Sequence, residues 1–174
     1  MARKIVLTTD MSAKGFSDLA EQIKQLKKET ENYQRRLMTL SLRELKKIAR
    51  SNVVSRVGQT GYEPTGELAD SFHIERLSKE VGVLLNLHDN SAAVEFGTGI
   101  PGATMAHPVA TEKGYSYGSR PYWFYTDING RWWTEGQQGK RFMYDALIDF
   151  KETRLYDISI QAWDETIGKG ITSK

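Results

Sequence analysis

Ala92-Ala93-Val94-Glu95-Phe96-Gly97-Thr98-Gly99-Ile100-Pro101-Gly102 is the stretch on which the fold turns. Ala92, Val94 and Phe96 alternate with Ala93 and Glu95, a period of two that predicts a strand with its one carboxylate on the opposite face. Two further runs share that period. Phe72 and Ile74 alternate with His73 and Glu75, and Val81, Val83, Leu85 and Leu87 alternate with Gly82, Leu84 and Asn86. The links Ser78-Lys79-Glu80 and His88-Asp89-Asn90-Ser91 are short, so the three runs read as an antiparallel meander.

Gly97-Thr98-Gly99-Ile100-Pro101-Gly102 also matches the bare spacing Gly-x-Gly-x-x-Gly. A phosphate cradle needs a helix immediately after the glycines, because the helix amides hold the anion. No helical pattern follows, and Pro101 removes an amide. The glycines are better read as a sharp end to a strand, launching a segment from Gly97 to Arg120 without sustained period. Loops of that length are functional or order only on binding.

Outward from this stretch, Phe16, Leu19, Ile23, Leu26, Tyr33, Leu37 and Leu40 repeat at three and four. They predict a helix over about 12–50, capped by Ser12 or Ser17 and bending or breaking near Thr39-Leu40-Ser41, where the stripe drifts. Its rhythm would suit a coiled coil, but no regular opposite charges flank it, and packing on the protein's own sheet or last helix is the preferred reading. After the long loop, Tyr122–Tyr125 and Arg131–Thr134 flank an Asn129-Gly130 turn as an aromatic hairpin. Phe142, Met143, Ala146, Leu147, Phe150, Ile158, Ala162, Trp163 and Ile167 then predict a helix over about 138–168. The expected architecture is a single α+β domain, 1–174, with both helices packed on a small sheet spanning about 67–134 and a long loop at 97–120.

Of 174 residues, 39% are hydrophobic and 26% charged, within ordinary globular usage. Cysteine is absent, which excludes disulfides, thiolate nucleophiles and cysteine-based zinc sites. No export signal is read at the N-terminus, and no run is long and apolar enough to span a membrane. The net charge of +2 is unevenly spread: residues 1–60 carry 13 Lys/Arg against 6 Asp/Glu, residues 61–137 carry 5 against 10, and the remainder 6 against 6. Such asymmetry suits pairing between identical subunits or contact of the first helix with nucleic acid. Glutamates interleave with the lysines and arginines of that helix, so sequence-specific nucleic-acid recognition is not expected. His73, His88 and His107 have no metal-ligand spacing, no serine sits in a nucleophile elbow, and Glu95 has no partner carboxylate nearby in sequence. Neither enzymatic activity nor a cofactor or metal is expected.

Three short motifs in order carry a resemblance: Thr65-Gly66-Glu67-Leu68 with Ser71-Phe72; Ala93-Val94-Glu95-Phe96-Gly97-Thr98-Gly99; and Trp133-Thr134-Glu135-Gly136 leading to Arg141-Phe142-Met143-Tyr144-Asp145-Ala146. Together, over about Ser12 to Ile167, they resemble the head-tail joining or tail-completion proteins of long-tailed bacteriophages, a group that includes neck, minor tail and minor capsid components. One departure is Arg141, where that family often has proline. The resemblance implies a virion structural protein at the head-tail junction, made in the bacterial cytoplasm. It would form a homo-oligomeric ring and contact connector, head-completion or tail-tube proteins. Glu95, Phe96, Gly97, Thr98 and Gly99 would open the docking loop, with Trp132, Trp133, Phe142 and Met143 as structural anchors.

Overall fold

The computed structural model describes residues 7, 9–57, 66–99, 123–127, 130–134 and 136–168. Helix α1, Ala13–Val57, is a single α-helix of 45 residues, about 67 Å long at 1.5 Å per residue. Ser12 caps it, its Oγ accepting the Gly15 amide at 2.9 Å. Asp10 holds the cap in place, accepting the Ser12 hydroxyl at 2.6 Å and the Ser12 amide at 3.0 Å. The hydroxyl bond first, and then the amide bond, hold the Asp10 carboxyl below its ordinary value.

The expected break near Thr39 is not there; the helix continues to Val57 and its apolar stripe changes face instead. Tyr33 meets Trp163 edge-on at 5.8 Å. Met38 and Leu42 sit on another face, so close to Gly82 that a methyl there would meet Leu42 at 2.6 Å. Ala49 and Val53, further on, are buried in the main core. One unbroken helix therefore serves two sets of neighbours.

A short helix α2, Glu67–Asp70, leads into β1, Phe72–Arg76, which pairs antiparallel with β2, Gly82–Asn86, in the register Phe72↔Asn86 to Arg76↔Gly82. Phe72 is buried and His73 exposed, as a period of two requires. Lys46 ties the strand to α1, donating to the Phe72 carbonyl at 2.7 Å. The expected third strand is a correction. Ser91–Phe96 is a helix, α3, and only Gly97–Gly99 is extended, as β3. Alternation of Ala92, Val94 and Phe96 is equally compatible with a turn and a half of helix, and a helix is what allows Val94 to pack on the core while Glu95 also points inward. The described strands form three two-stranded pairs rather than a meander: β1 with β2, β3 with β6 (Gly136–Gln138), and β4 (Trp123–Asp127) with β5 (Gly130–Thr134). The class remains α+β, with helix dominating. Residues 100–122, which hold most of the expected long loop, lie outside the described residues.

The C-terminal helical run begins at Phe142, not near 138, because Gly136–Gln138 belongs to β6. It comprises α4, Phe142–Asp149, a π-helical segment, Phe150–Arg154, and α5, Leu155–Glu165. It lies antiparallel to α1 and packs chiefly on that helix rather than on the sheet: Asn52 donates to the Phe142 carbonyl at 3.1 Å, and at the far end Arg36 pairs with Glu165. In regular α-helix, Phe150 and Ile158 would be rotated about 80° apart. The π segment absorbs one residue and reduces that to about 20°, so both side chains are buried.

The main core joins Ala49 and Val53 of α1 with Leu68, Ala69, Phe72, Phe142 and Ala146. Ala49 and Ala146 are fully buried, so α1 and α4 approach over small residues, while Phe142 fills the space to Phe72 at 5.9 Å between ring centroids. Phe142→Ala is expected to lose about 3–5 kcal/mol in denaturant unfolding, since so enclosed a cavity collapses poorly. At the other end of α1, a lowered pKa means that Asp10 stabilises the cap above 3.8, its ordinary value, and loses that contribution as pH falls through the lowered value. Amide exchange at Gly15 and Phe16 should accelerate, relative to mid-helix amides, on acidification through that range.

Candidate functional site

Helix α4 begins without a side chain of its own to cap it. Arg141, at its N-cap, has φ 50°, in the left-handed region, and its side chain makes no capping hydrogen bond. The amides of the first turn of a helix have no partner within the helix. Here they are met from 48 positions away: Glu95 Oε2 accepts the Met143 amide at 2.8 Å and Glu95 Oε1 the Tyr144 amide at 2.9 Å. Both oxygens of one carboxylate are thus spent on the positive end of a helix, where an anion is favoured. Glu95 is 6% exposed.

Backbone bonds fasten the same junction. The Lys140 amide donates to the Val94 carbonyl at 2.7 Å and the Arg141 amide to the Glu95 carbonyl at 3.1 Å. Gly97 ends α3 at φ 83°, and its amide returns to Ala93. Beyond it, β3 and β6 pair as Gly97↔Gln138, Thr98↔Gln137 and Gly99↔Gly136. Gly139 crosses over α3 so closely that a methyl on it would lie 2.7 Å from the Glu95 carbonyl oxygen and 2.7 Å from the Phe96 carbonyl carbon. No side chain fits there.

A charged clasp closes the third side. Asp145 of α4 accepts Arg56 Nη1 of α1 at 2.5 Å and Arg141 Nη2 at 2.7 Å, and Arg56 also donates to the Lys140 carbonyl at 2.9 Å. The Arg141 guanidinium lies 5.0 Å over the Tyr144 ring, and its Nε is buried with no hydrogen-bond partner among the described residues. At Arg141, the position where the resemblance expects proline, the backbone excludes it. Proline is fixed near φ −65° and has no amide to give to Glu95.

Of the residues singled out from sequence, Glu95, Phe96, Gly97, Phe142 and Met143 come together at this junction, and Thr98 and Gly99 pair with β6 next to it. Glu95 does not face outward from a strand edge, as alternation suggested; it faces the α4 amides, because the helical turn of α3 rotates it inward. Trp132 and Trp133 pair with Tyr125 and Phe124 across β4 and β5, while their role as anchors falls outside what the described residues cover. Gly139 and Arg56 were not singled out, and Asp145 stood only inside the third motif, without a role of its own; Gly139, in Gln138-Gly139-Lys140, carried a visible signal and Arg56 none.

Elsewhere, an open groove of about 480 Å³ lies between α1 and the junction of the π segment with α5, lined by Arg43, Lys47 and Arg154 against Glu44 and Asp157. Glu44 lies 3.7 Å from Lys47 and 3.8 Å from Arg154, so its cations are partly neutralised in place. Among the described residues no group of three His, Asp or Glu could hold a metal ion, and no described helix is long and apolar enough to cross a membrane. Comparison with known proteins finds no family model, no curated protein and no solved structure that matches this chain.

What this junction does chemically is hold three chain segments in one geometry. Glu95→Ala strands two buried amides and is expected to lower unfolding stability by about 2–4 kcal/mol; Glu95→Gln, which keeps one acceptor oxygen, should lose about half as much. Gly139→Ala should destabilise comparably with Glu95 intact, because its new methyl meets backbone rather than a movable side chain. Both comparisons are read from urea midpoints at constant m-value.

Proposed function

We propose that the protein is a virion structural component at the head-tail junction of a long-tailed phage, working by assembly with copies of itself and with neighbouring neck or tail proteins. The observation that carries this reading is the convergence at one junction of the three motifs behind the resemblance. Leu68 and Phe72 from the first, Val94 from the second, and Phe142, Met143 and Ala146 from the third share one core, and Glu95 bonds the second to the third. Motifs scattered over about 80 residues that serve one packed unit are the kind a structural family retains.

The arrangement also suits a docking role for what lies between β3 and β6. Gly99 and Gly136 are direct partners in the β3–β6 pair, so residues 100–135 form an excursion that leaves and returns at one backbone-paired stem. Such a stem lets an interaction segment vary without disturbing the core. The alternative use of α1 as a nucleic-acid contact is weakened by internal commitments: Arg36, Lys46, Arg50 and Arg56 are bonded to Glu165, the Phe72 carbonyl, Asp70 and Asp145.

Replacing residues 100–135 with a two-residue Asn-Gly turn is expected to leave a cooperatively folded protein with the same unfolding free energy to within about 1 kcal/mol. In a phage relying on that variant, filled heads and finished tails should accumulate unjoined. Joined, infectious particles from the shortened protein, or absence of the wild-type protein from purified virions by mass spectrometry, would overturn the proposal.

A further inference from the structure

Among the described residues the β1–β2 hairpin is joined to no other strand, so both of its edges are open. Two backbone bonds bracket it, from the Leu77 amide to the Val81 carbonyl and from the Leu87 amide to the Ser71 carbonyl, each at 3.0 Å. Bonded pairs alternate along an antiparallel ladder, so between these two the strands exchange bonds at His73 with Leu85 and at Glu75 with Val83. The backbone groups of Phe72, Ile74 and Arg76 therefore point outward along one edge, and those of Gly82, Leu84 and Asn86 along the other. Two side chains reach these groups from outside: Lys46 donates to the Phe72 carbonyl at 2.7 Å and Ser91 Oγ to the Asn86 carbonyl at 3.4 Å.

The two edges are not alike. Natural sheets protect an open edge with charged side chains and with cover from neighbouring elements. Strand β1 has both, since His73, Glu75 and Arg76 are exposed along it and Lys46 holds its first carbonyl. Strand β2 has neither from Gly82 to Leu85. Val81, Val83, Leu85 and Leu87 form an uncharged row on the outer face, with Val81, Leu85 and Leu87 exposed, and no hydrogen bond among the described residues reaches the outward groups of Gly82 or Leu84. Helix α1 does not cross this edge. It passes Gly82 at Met38 and Leu42 and passes Phe72, at the other end of the hairpin, at Lys46, so it runs along the strands.

An edge of alternating amides and carbonyls is complemented by an extended backbone. We infer that the β2 edge pairs antiparallel with β2 of a second copy, about a two-fold axis at Leu84. The strand is its own complement. Outward groups must meet outward groups, and with Leu84 facing Leu84 they do: Leu84 exchanges bonds with Leu84, and Gly82 with Asn86 on either side. The Asn86 carbonyl has a second lone pair for this beside the one that Ser91 engages. An axis at Val83 or Leu85 would set Asn86 against Glu80 or Gly82 against His88, which lie outside the strand. Between the bonded positions the outer row meets its own image, Val83 against Leu85 and Val81 against Leu87, apolar on apolar.

Charge favours the same register. Beyond the strand ends, the turn at Lys79-Glu80 comes beside the turn at His88-Asp89 of the second copy. Lys79 is set toward Asp89, both exposed, and Glu80 toward His88, itself 3.9 Å from Glu67. Directly opposed residues from 79 to 89 are nowhere of like charge. A parallel pair in register would instead set Lys79 beside Lys79 and Asp89 beside Asp89. One strand per copy makes an interface smaller than the roughly 1,200 Å² of specific complexes, so pairing is weak in dilute solution and rises with concentration. This inference concerns the isolated chain and does not rest on the head-tail reading.

The chain has no cysteine, so introduced cysteines report the register without background. Val81 of one copy faces Leu87 of the other at a separation that a disulfide spans, whereas two copies of Val81, or of Leu87, lie about 20 Å apart. Val81→Cys and Leu87→Cys both replace exposed side chains. Mixed at high concentration under copper-phenanthroline oxidation, the two variants are expected to form the mixed disulfide dimer at least tenfold faster than either alone forms its own. Adding Leu85→Lys to both chains puts a charge on the edge at an exposed position, and should remove that advantage while circular dichroism and the urea midpoint stay unchanged. Sedimentation of the wild-type chain should show its mean mass rising from monomer toward dimer with concentration. Equal oxidation of the mixture and of the separate variants would overturn the inference as non-specific collision. So would a wild-type chain that stays monomeric with no excess of the mixed disulfide, whether the edge remains open or takes a strand from a different protein.

Discussion

A carboxylate at the start of a helix that cannot cap itself is the constraint on which the rest of the structure depends. Helix α4 opens after a left-handed arginine, and its first-turn amides would be buried and unbonded without Glu95. An unmet buried amide costs about as much as a strong hydrogen bond contributes, and two of them would outweigh most single packing contacts. Satisfying them fixes where α3 must end, and therefore where β3 begins and how β6 returns beside it. The crossing at Gly139 follows, because the chain that brings α4 to Glu95 has to pass over the Glu95–Phe96 backbone with no side chain between.

Helix α1 supplies the surface on which this junction is built. Its second half holds α4 through Asn52 and Arg56, the hairpin through Lys46, and α5 through Tyr33 and Arg36. These attachments lie on different faces of one helix, which a single amphipathic stripe could not provide. The π segment solves the matching problem on the other side. A run of helix long enough to follow α1 drifts out of phase with it, and one extra residue within Phe150–Arg154 returns Ile158 to the face that Phe150 occupies.

The same bonding explains why the basic character of the first 60 residues says less about partners than the charge count suggests. Several of those cations hold the protein together. Arg56 bridges Asp145 and a backbone carbonyl, and Arg50 meets Asp70. The lysines of the free half, Lys24 among them, stand beside Glu21 and Glu29 on the same helix. What distinguishes that half is its apolar stripe, on which Phe16 and Ile23 stand exposed among the described residues, and exposed apolar surface speaks of protein contact more directly than balanced charge does.

Sequence alone determined the elements whose periodicity is long or whose ends carry local chemistry. About seven turns of three-four spacing, Phe16 to Leu40, marked α1, and Ser12 or Ser17 marked its start, because a capping hydroxyl acts within three residues of itself; the structure uses Ser12. Phe72 to Arg76 and Gly82 to Asn86 were legible as a hairpin because alternation over five residues beside a short link has one economical solution. Ser91–Phe96 was not legible: six residues fit either period, and the choice lay with two amides at positions 143 and 144. Glu95 was visible as unusual, a lone carboxylate in an apolar run, but its meaning was not, since a charge without a sequence neighbour reads equally as surface or as core. Only the tertiary structure could turn it inward, because the group that makes its burial favourable is the end of a helix 48 residues away, and helix termini acquire their partners through space rather than along the chain.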